Sequence, residues 1–263
     1  MAGRDSGILL DVHITPTMRS LLHILYQPYK WLVVIPCLLL STVFLGSAAI
    51  VIATTVSPKL ASATCGVWWS RLNSFMTPMF VSVRGRRHID KKQSYVIISN
   101  HLSHYDIFVL YGWLGIDFKW VMKKELRNAP ALGAACEKIG HIYIDRSDRE
   151  TAIASLAAAK EKIVSGTSVL FFPEGTRSAS GEMGEFKKGG FVMALDLGIP
   201  ILPVTVLHTD KILPPRTMDL FPGRAGMVVH EPIDVSGYGT ERLGELMQEV
   251  REVIQAGLES DTP

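Results

Sequence analysis

Between Lys30 and Lys59 the chain carries no charge for 28 consecutive positions, and the run opens WLVVIPCLLLSTVFLGSAAIVIATT. No other feature limits the fold as much. A helix rises about 1.5 Å per residue and the hydrocarbon core of a bilayer is about 30 Å thick, so roughly 20 residues suffice to cross it. The apolar part of a cleaved signal peptide is shorter, about 7–15 residues. Ala61-Ser62-Ala63 bears only a loose likeness to a cleavage site. The expectation is an apolar helix over residues 31–55 that anchors the chain to a membrane.

The next stretch, residues 66–80, has a different pattern. Trp68, Leu72, Phe75, Met76 and Met79 recur at steps of three and four, with Ser70, Arg71, Asn73, Ser74 and Thr77 between them. This predicts an amphipathic helix. It would either lie in a membrane interface or pack on a soluble core. Arg19 and Lys30 flank one side of the apolar run, and Lys59 and Arg71 the other. The charges therefore fit a single span and a re-entrant helix pair equally well. Arg84, Arg86, Arg87, Lys91 and Lys92 follow, suited to anionic headgroups or to a solvated loop. Residues 1–83 are read as the membrane-associated region and 84–263 as a separate α/β domain.

Composition excludes other classes. With 48% hydrophobic residues and a net charge of +2, the chain is too apolar and too nearly neutral for disorder. It lacks the basic excess of a general nucleic-acid binder. Cys37, Cys65 and Cys136 form no CxxC pair, so neither a zinc knuckle nor a disulfide framework is indicated. A reducing, cytoplasmic setting is expected for the globular part.

From residue 94 short apolar runs alternate with helical patterns. Strands are expected at 95–99, 118–122, 141–145, 168–172, 199–207 and 225–229. The clearest helices are 149–165 and 241–258. Alternation of this kind predicts a mixed, largely parallel sheet flanked by helices. In such sheets ligands gather at the carboxyl ends of the strands.

Four strand ends carry unusual residues. After Ser99 comes Asn100-His101-Leu102-Ser103-His104-Tyr105-Asp106. His101 and Asp106 can meet only if the chain turns between them, with Asp106 in the first helical turn. The carboxylate then holds one imidazole nitrogen and leaves the other to take a proton. Ser103-x-x-Asp106 also resembles a capping box, and both roles can coexist. His104 is a rival base two residues before Asp106. Arg146 follows the third strand, and Pro173-Glu174-Gly175-Thr176-Arg177 follows the fourth. Two arginines at neighbouring strand ends can converge on a phosphate. Lys123 and Lys124 after the second strand add positive potential. Lys187-Lys188-Gly189-Gly190 marks a tight turn or backbone close to a ligand.

Asn100-His101-x4-Asp106 together with Pro173-Glu174-Gly175-Thr176-Arg177 resembles the glycerolipid acyltransferase family, nearest to its bacterial 1-acyl-glycerol-3-phosphate acyltransferase branch. Lys123-Lys124-Glu125-Leu126, Ile142-Tyr143-Ile144-Asp145-Arg146 and Gly198-Ile199-Pro200-Ile201-Leu202-Pro203-Val204 match further family blocks in order. The likeness covers roughly residues 90–210.

The resemblance implies acyl transfer from a thioester to the sn-2 hydroxyl of lysophosphatidic acid, giving phosphatidic acid. His101, oriented by Asp106, would act as general base. Lys123, Arg146, Gly175, Thr176 and Arg177 would bind the phosphorylated acceptor, with Glu174 on a glycerol hydroxyl or bracing Arg177. Asn100 or nearby backbone amides would hold the oxyanion. No metal or other cofactor is expected. The donor is an acyl-CoA or an acyl-carrier protein, and no nucleotide-binding loop is visible. The remaining partners are membrane lipids, and the place is the cytoplasmic face of a bacterial inner membrane. Other lysophospholipid or glycerol-phosphate acceptors stay open, since relatives share these blocks. A metal-dependent hydrolase using His101, His104 and Asp106 and a catalytically silent lipid-binding protein are the rival classes. Because the constellation starts at His101, the remainder is expected to keep its fold without residues 1–80.

Overall fold

The computed structural model describes residues 24–145, 147–163, 166–178 and 182–260. A continuous helix runs Ile24–Thr55. Its regular part, α1 (Ile35–Thr55), follows a wider turn at Lys30–Val34. The chain then reverses through short helical turns at Pro58–Ala61 and Ser62–Gly66 into α2 (Val67–Met76). Thereafter come β1 (Met79–Arg84), β2 (Val96–Ser99), α3 (Asp106–Trp113), β3 (Phe118–Lys123), α4 (Leu132–Ile139) and β4 (Ile142–Ile144). The chain ends with α5 (Arg149–Ala159), β5 (Ser168–Phe171), α6 (Gly189–Leu197), β6 (Ile201–Leu207), β7 (Gly223–Val229) and α7 (Leu243–Glu259).

The strands form one sheet in the order β1-β7-β6-β2-β5-β3-β4. Every neighbouring pair is parallel except β6 with β7. The central strands β2, β5 and β6 are buried along their whole length, which is why they read as unbroken apolar runs. Their residues alternate between two cores. Ile97, Leu170 and Leu202 face α3 with Val109 and Leu110. Val96, Ile98, Val169 and Ile201 face α6 and α7, with Phe191, Leu246, Val250 and Ile254. The expected mixed, largely parallel sheet with flanking helices and an apolar N-terminal helix is thus what forms.

Two boundaries differ from the sequence reading. Pro78 stops the amphipathic helix, whose last turn ends at Met76. Met79 is not the end of the helical stripe; it is the buried first residue of β1, which pairs with β7 at the sheet edge. The sheet therefore begins at Met79, ahead of the boundary placed after residue 83. The helix expected over 149–165 ends in the turn Lys160–Lys162.

The amphipathic helix is mounted with its polar face inward. Ser70, Asn73, Ser74 and Thr77 are buried, while Trp68 and Phe75 are 64% and 77% exposed. The inward groups are bonded across the fold: Asn73 Nδ2 donates to Ser41 Oγ (3.0 Å), and the Thr77 and Tyr105 hydroxyls meet at 2.8 Å. Trp69 alone among the helix's tryptophans turns inward, its indole N–H donating to Thr42 (2.9 Å) and its ring packing on Phe108. The continuous helix Ile24–Thr55 also divides lengthwise. Val34 and Ala49 are buried, whereas Leu32, Leu39, Leu40, Val43, Phe44 and Val51 are exposed. Lys30, the charge that ends the apolar run, is itself buried, with Nζ donating to the Met218 carbonyl (3.0 Å).

Candidate active site

The loop after β2 and the first turn of α3 bring His101 onto Asp106. His101 Nδ1 lies 2.7 Å from Asp106 Oδ2. That same oxygen accepts the backbone N–H groups of Leu102 (2.8 Å) and Ser103 (3.0 Å). Asp106 Oδ1 accepts the Thr209 hydroxyl. Asp106 is 0% exposed, so both of its oxygens are committed to protein donors. An oxygen already accepting two N–H groups acts as an acceptor, so Nδ1 carries the imidazole proton and Nε2 is left with its lone pair. The ring is held flat against Phe172, with centroids 3.9 Å apart and planes at 10°. Phe172 in turn stacks on Trp120. Asp106 orients the ring and braces the loop through the Leu102 and Ser103 N–H groups, but Ser103 is not the helix cap: the N-cap of α3 is Tyr105, which makes no side-chain cap bond.

Two expected site residues are bonded to backbone. Asn100 is fully buried, and its amide brackets the Val206 backbone: Nδ2 donates to the carbonyl (2.9 Å) and Oδ1 accepts the N–H (2.7 Å). It ties β2 to β6 and is not an oxyanion donor. Glu174 is also buried. Its Oε1 accepts the His101 backbone N–H and its Oε2 accepts the Gly184 N–H, each at 2.9 Å. Both oxygens thus fasten the histidine loop to the loop after β5. The Ser178 N–H adds a second link, to the His101 carbonyl (2.9 Å).

His101 opens into a cavity of about 660 Å³. His104, Lys123, Gly175, Thr176 and Arg177 stand around it with His101. Gly175 takes the left-handed conformation (φ +73°), which a side chain would strain. Lys124 is tied to Asp145, whose carboxyl this partner holds down at about 2. Lys123 and Arg177 make no ion pair among the described residues and are the cations left at the cavity. Burial, then Arg177 and His101, push the His104 imidazole below its ordinary value, so it adds no charge there. Arg146 lies outside the described residues.

Away from this mouth the cavity is apolar. Its walls are Leu45, Gly46 and Ala49 of α1, Trp69 of α2, Tyr111 of α3 and Ile139 of α4. The N-terminal helices therefore build part of the site. Cys136 also lines it, but burial pushes its thiol up to about 12, far from a ready nucleophile. Thr209 and Phe172 went unnoticed in the sequence. Each stands just beyond a strand's carboxyl end, β6 and β5, and that position was the available signal.

Comparison with known proteins gives the family. A family model described as Acyltransferase matches residues 80–207. A curated 1-acyl-sn-glycerol-3-phosphate acyltransferase of Pseudomonas aeruginosa is 33% identical over 185 residues, covering 68% of this chain and 71% of that one. This chain belongs to the acyltransferase family. A chloroplastic 1-acyl-sn-glycerol-3-phosphate acyltransferase of Brassica napus is 37% identical over 139 residues, 52% of this chain. The match spans only 40% of that plant protein's length. The fold agrees over nearly the whole chain with the crystal structure of PlsC, a 1-acyl-sn-glycerophosphate acyltransferase from Thermotoga maritima. The TM-score is 0.75 at 27% identity, covering 93% of this acyltransferase and 96% of the other chain.

Proposed function

We propose that this acyltransferase moves an acyl group from a thioester to the sn-2 hydroxyl of 1-acyl-glycerol-3-phosphate, forming phosphatidic acid. One observation carries the reading: the His101–Asp106 pair sits at the mouth of an apolar cavity whose rim holds Lys123 and Arg177. His101 Nε2 takes the acceptor's hydroxyl proton while the oxygen attacks the thioester carbonyl. The C–S bond then breaks and the same nitrogen returns the proton to the departing sulfur. No covalent enzyme intermediate is needed. Arg177 and Lys123 neutralise the acceptor phosphate, with Arg146 joining them as the family resemblance implies. The donor is an acyl-CoA or an acyl-carrier protein, and no cofactor takes part.

The decisive assay offers purified protein lysophosphatidic acid, lysophosphatidylcholine and glycerol-3-phosphate with both donors. Arg177→Ala should raise the acceptor KM or lower kcat/KM on the order of 10- to 100-fold, the worth of one charged hydrogen-bond partner, with the donor KM changed little. Equal losses on a phosphate-free lysolipid would make the arginine structural.

The membrane attachment follows from the same surfaces. The exposed faces of α1 and α2 are apolar, carrying Leu39, Leu40, Phe44, Trp68 and Phe75. The continuous helix Ile24–Thr55 is fastened to the α/β domain at Lys30 and again at Ala49, whose cluster includes Ala135 and Ile139 of α4. Those points are about 28 Å apart along a helix. A helix bound to one side of a domain at both ends lies in a single leaflet rather than crossing. The proposed place is the cytoplasmic face of the bacterial inner membrane. The chain should stay with membranes through high salt and alkaline carbonate, because salt screens charges but does not extract buried apolar faces. Release by salt alone would defeat this.

A further inference from the structure

We infer that the second cavity of the fold receives the phosphopantetheine arm of the acyl donor, an inference that rests on the acyl-transfer reading above. This cavity, of about 700 Å³, lies between α5 and α6. Its floor is Leu156, Phe171 and Met193, which belong to or pack on the core on the side of the sheet opposite α3, and the exposed Val192 stands on its lining. The first cavity lies on the α3 side, with Tyr111 and Trp120. Val121, Phe172 and Gly175 line both. The two spaces therefore meet over the carboxyl end of β5, where Phe172 carries the His101 ring.

The reaction needs two amphipathic substrates to reach one histidine, and the two cavities approach it from different surroundings. The first takes walls from α1 and α2, whose outer faces are apolar. The second takes none of its lining from them. The first cavity thus adjoins the lipid-facing helices and the second does not. A lipid acceptor fits the first approach. A water-borne thioester fits the second.

The chemistry of the second cavity suits such an arm. Its volume falls in the range of ordinary ligand sites, about 300–1,000 Å³. Lys187 and Lys188 stand at its rim, exposed, and neither has an ion-pair partner among the described residues. Lys160, also on the lining, is occupied by Asp196 (2.7 Å). A Cβ built on Gly175 would lie 2.8 Å from Lys187 Nζ, so this ammonium sits on the loop the two cavities share. Phosphopantetheine has a phosphate at one end, a gem-dimethyl group and two amides along its length, and the thioester at the other end. The lysines match the phosphate, the apolar floor matches the chain, and the thioester then arrives beside Phe172 and His101. Coenzyme A and acyl-carrier protein both present this arm.

The test uses the full-length protein in detergent, with Lys187→Glu and Val192→Trp. Both positions are exposed, and unchanged melting temperatures confirm the fold. Donors are acyl-CoA, acyl-carrier protein and an acyl-pantetheine lacking the phosphate; wild-type rates with the first two tell which source is used. Lys187→Glu should raise the donor KM on the order of 10-fold with the donor in use and leave the phosphate-free thioester unaffected. Val192→Trp should impair both, and neither variant should move the acceptor KM. Unchanged donor KM values, an acceptor KM that rises instead, or an equal lysine defect with the phosphate-free thioester would overturn the assignment. A wild type that forms no product from any donor defeats the acyl-transfer reading itself. In that event calorimetric binding of coenzyme A, lost in Val192→Trp, still upholds the cavity's role, and its absence ends it.

Discussion

Replacing His101 with alanine should remove between about 10²- and 10⁴-fold of turnover, the range for a positioned general base. The fold should persist. The Asp106 carboxylate keeps the Leu102 and Ser103 N–H groups and the Thr209 hydroxyl when the imidazole is gone. The backbone of residue 101 stays tied to Glu174 and Ser178, neither bond depending on its side chain. His104 is the natural control, since it lines the same cavity without touching Asp106. His104→Ala should cost much less. The measurement is kcat on purified variants beside their melting temperatures. A folded His101→Ala enzyme with near-normal kcat would sink the assignment.

How much of this was visible in the sequence depended on where each signal lay. β2, β5 and β6 were legible because parallel strands buried on both faces must be apolar throughout. β1 was not. It is a half-exposed edge strand directly after a helix, and Met79 happens to extend the helical stripe. The amphipathic pattern of α2 was plain, but a stripe does not say which side meets protein. Here a buried hydrogen-bonded polar face and an outward apolar face reverse the arrangement usual in water. His101 and Asp106 are five residues apart and sit in one local turn, so their meeting could be argued from spacing. The roles of Asn100 and Glu174 could not. Asn100's partner is 106 residues away along the chain and Glu174's are 73 and 10 away, and those partners are backbone atoms, which leave no mark on residue type. Thr209 is a lone threonine whose importance comes only from β6 delivering it to Asp106.

Asp106→Asn should separate orientation from charge. In the native enzyme Oδ2 accepts three N–H groups and Oδ1 accepts one hydroxyl. An asparagine can keep its oxygen toward His101, Leu102 and Ser103. Its NH₂ then faces Thr209, whose hydroxyl can turn and accept. Nearly all the ground-state bonds are rebuilt, so stability should fall by no more than about 1–3 kcal/mol, the cost of one poorly matched buried group. The chemistry is not rebuilt. In the proposed mechanism His101, on taking the acceptor's proton, becomes an imidazolium beside a site that is 0% exposed and now uncharged. If the amide turns the other way, its NH₂ donates to Nδ1, the ring proton moves to Nε2, and the base is lost outright. Either orientation lowers kcat by on the order of 10²–10⁴-fold. Asp106→Ala should behave differently, because it leaves the Leu102 and Ser103 N–H groups buried without acceptors at about 1–3 kcal/mol each. Its melting temperature should drop well below that of Asp106→Asn. An Asp106→Asn enzyme that melts earlier but keeps its kcat would reduce this carboxylate to a brace for the loop at Leu102 and Ser103, and His101 would then work without a charged partner.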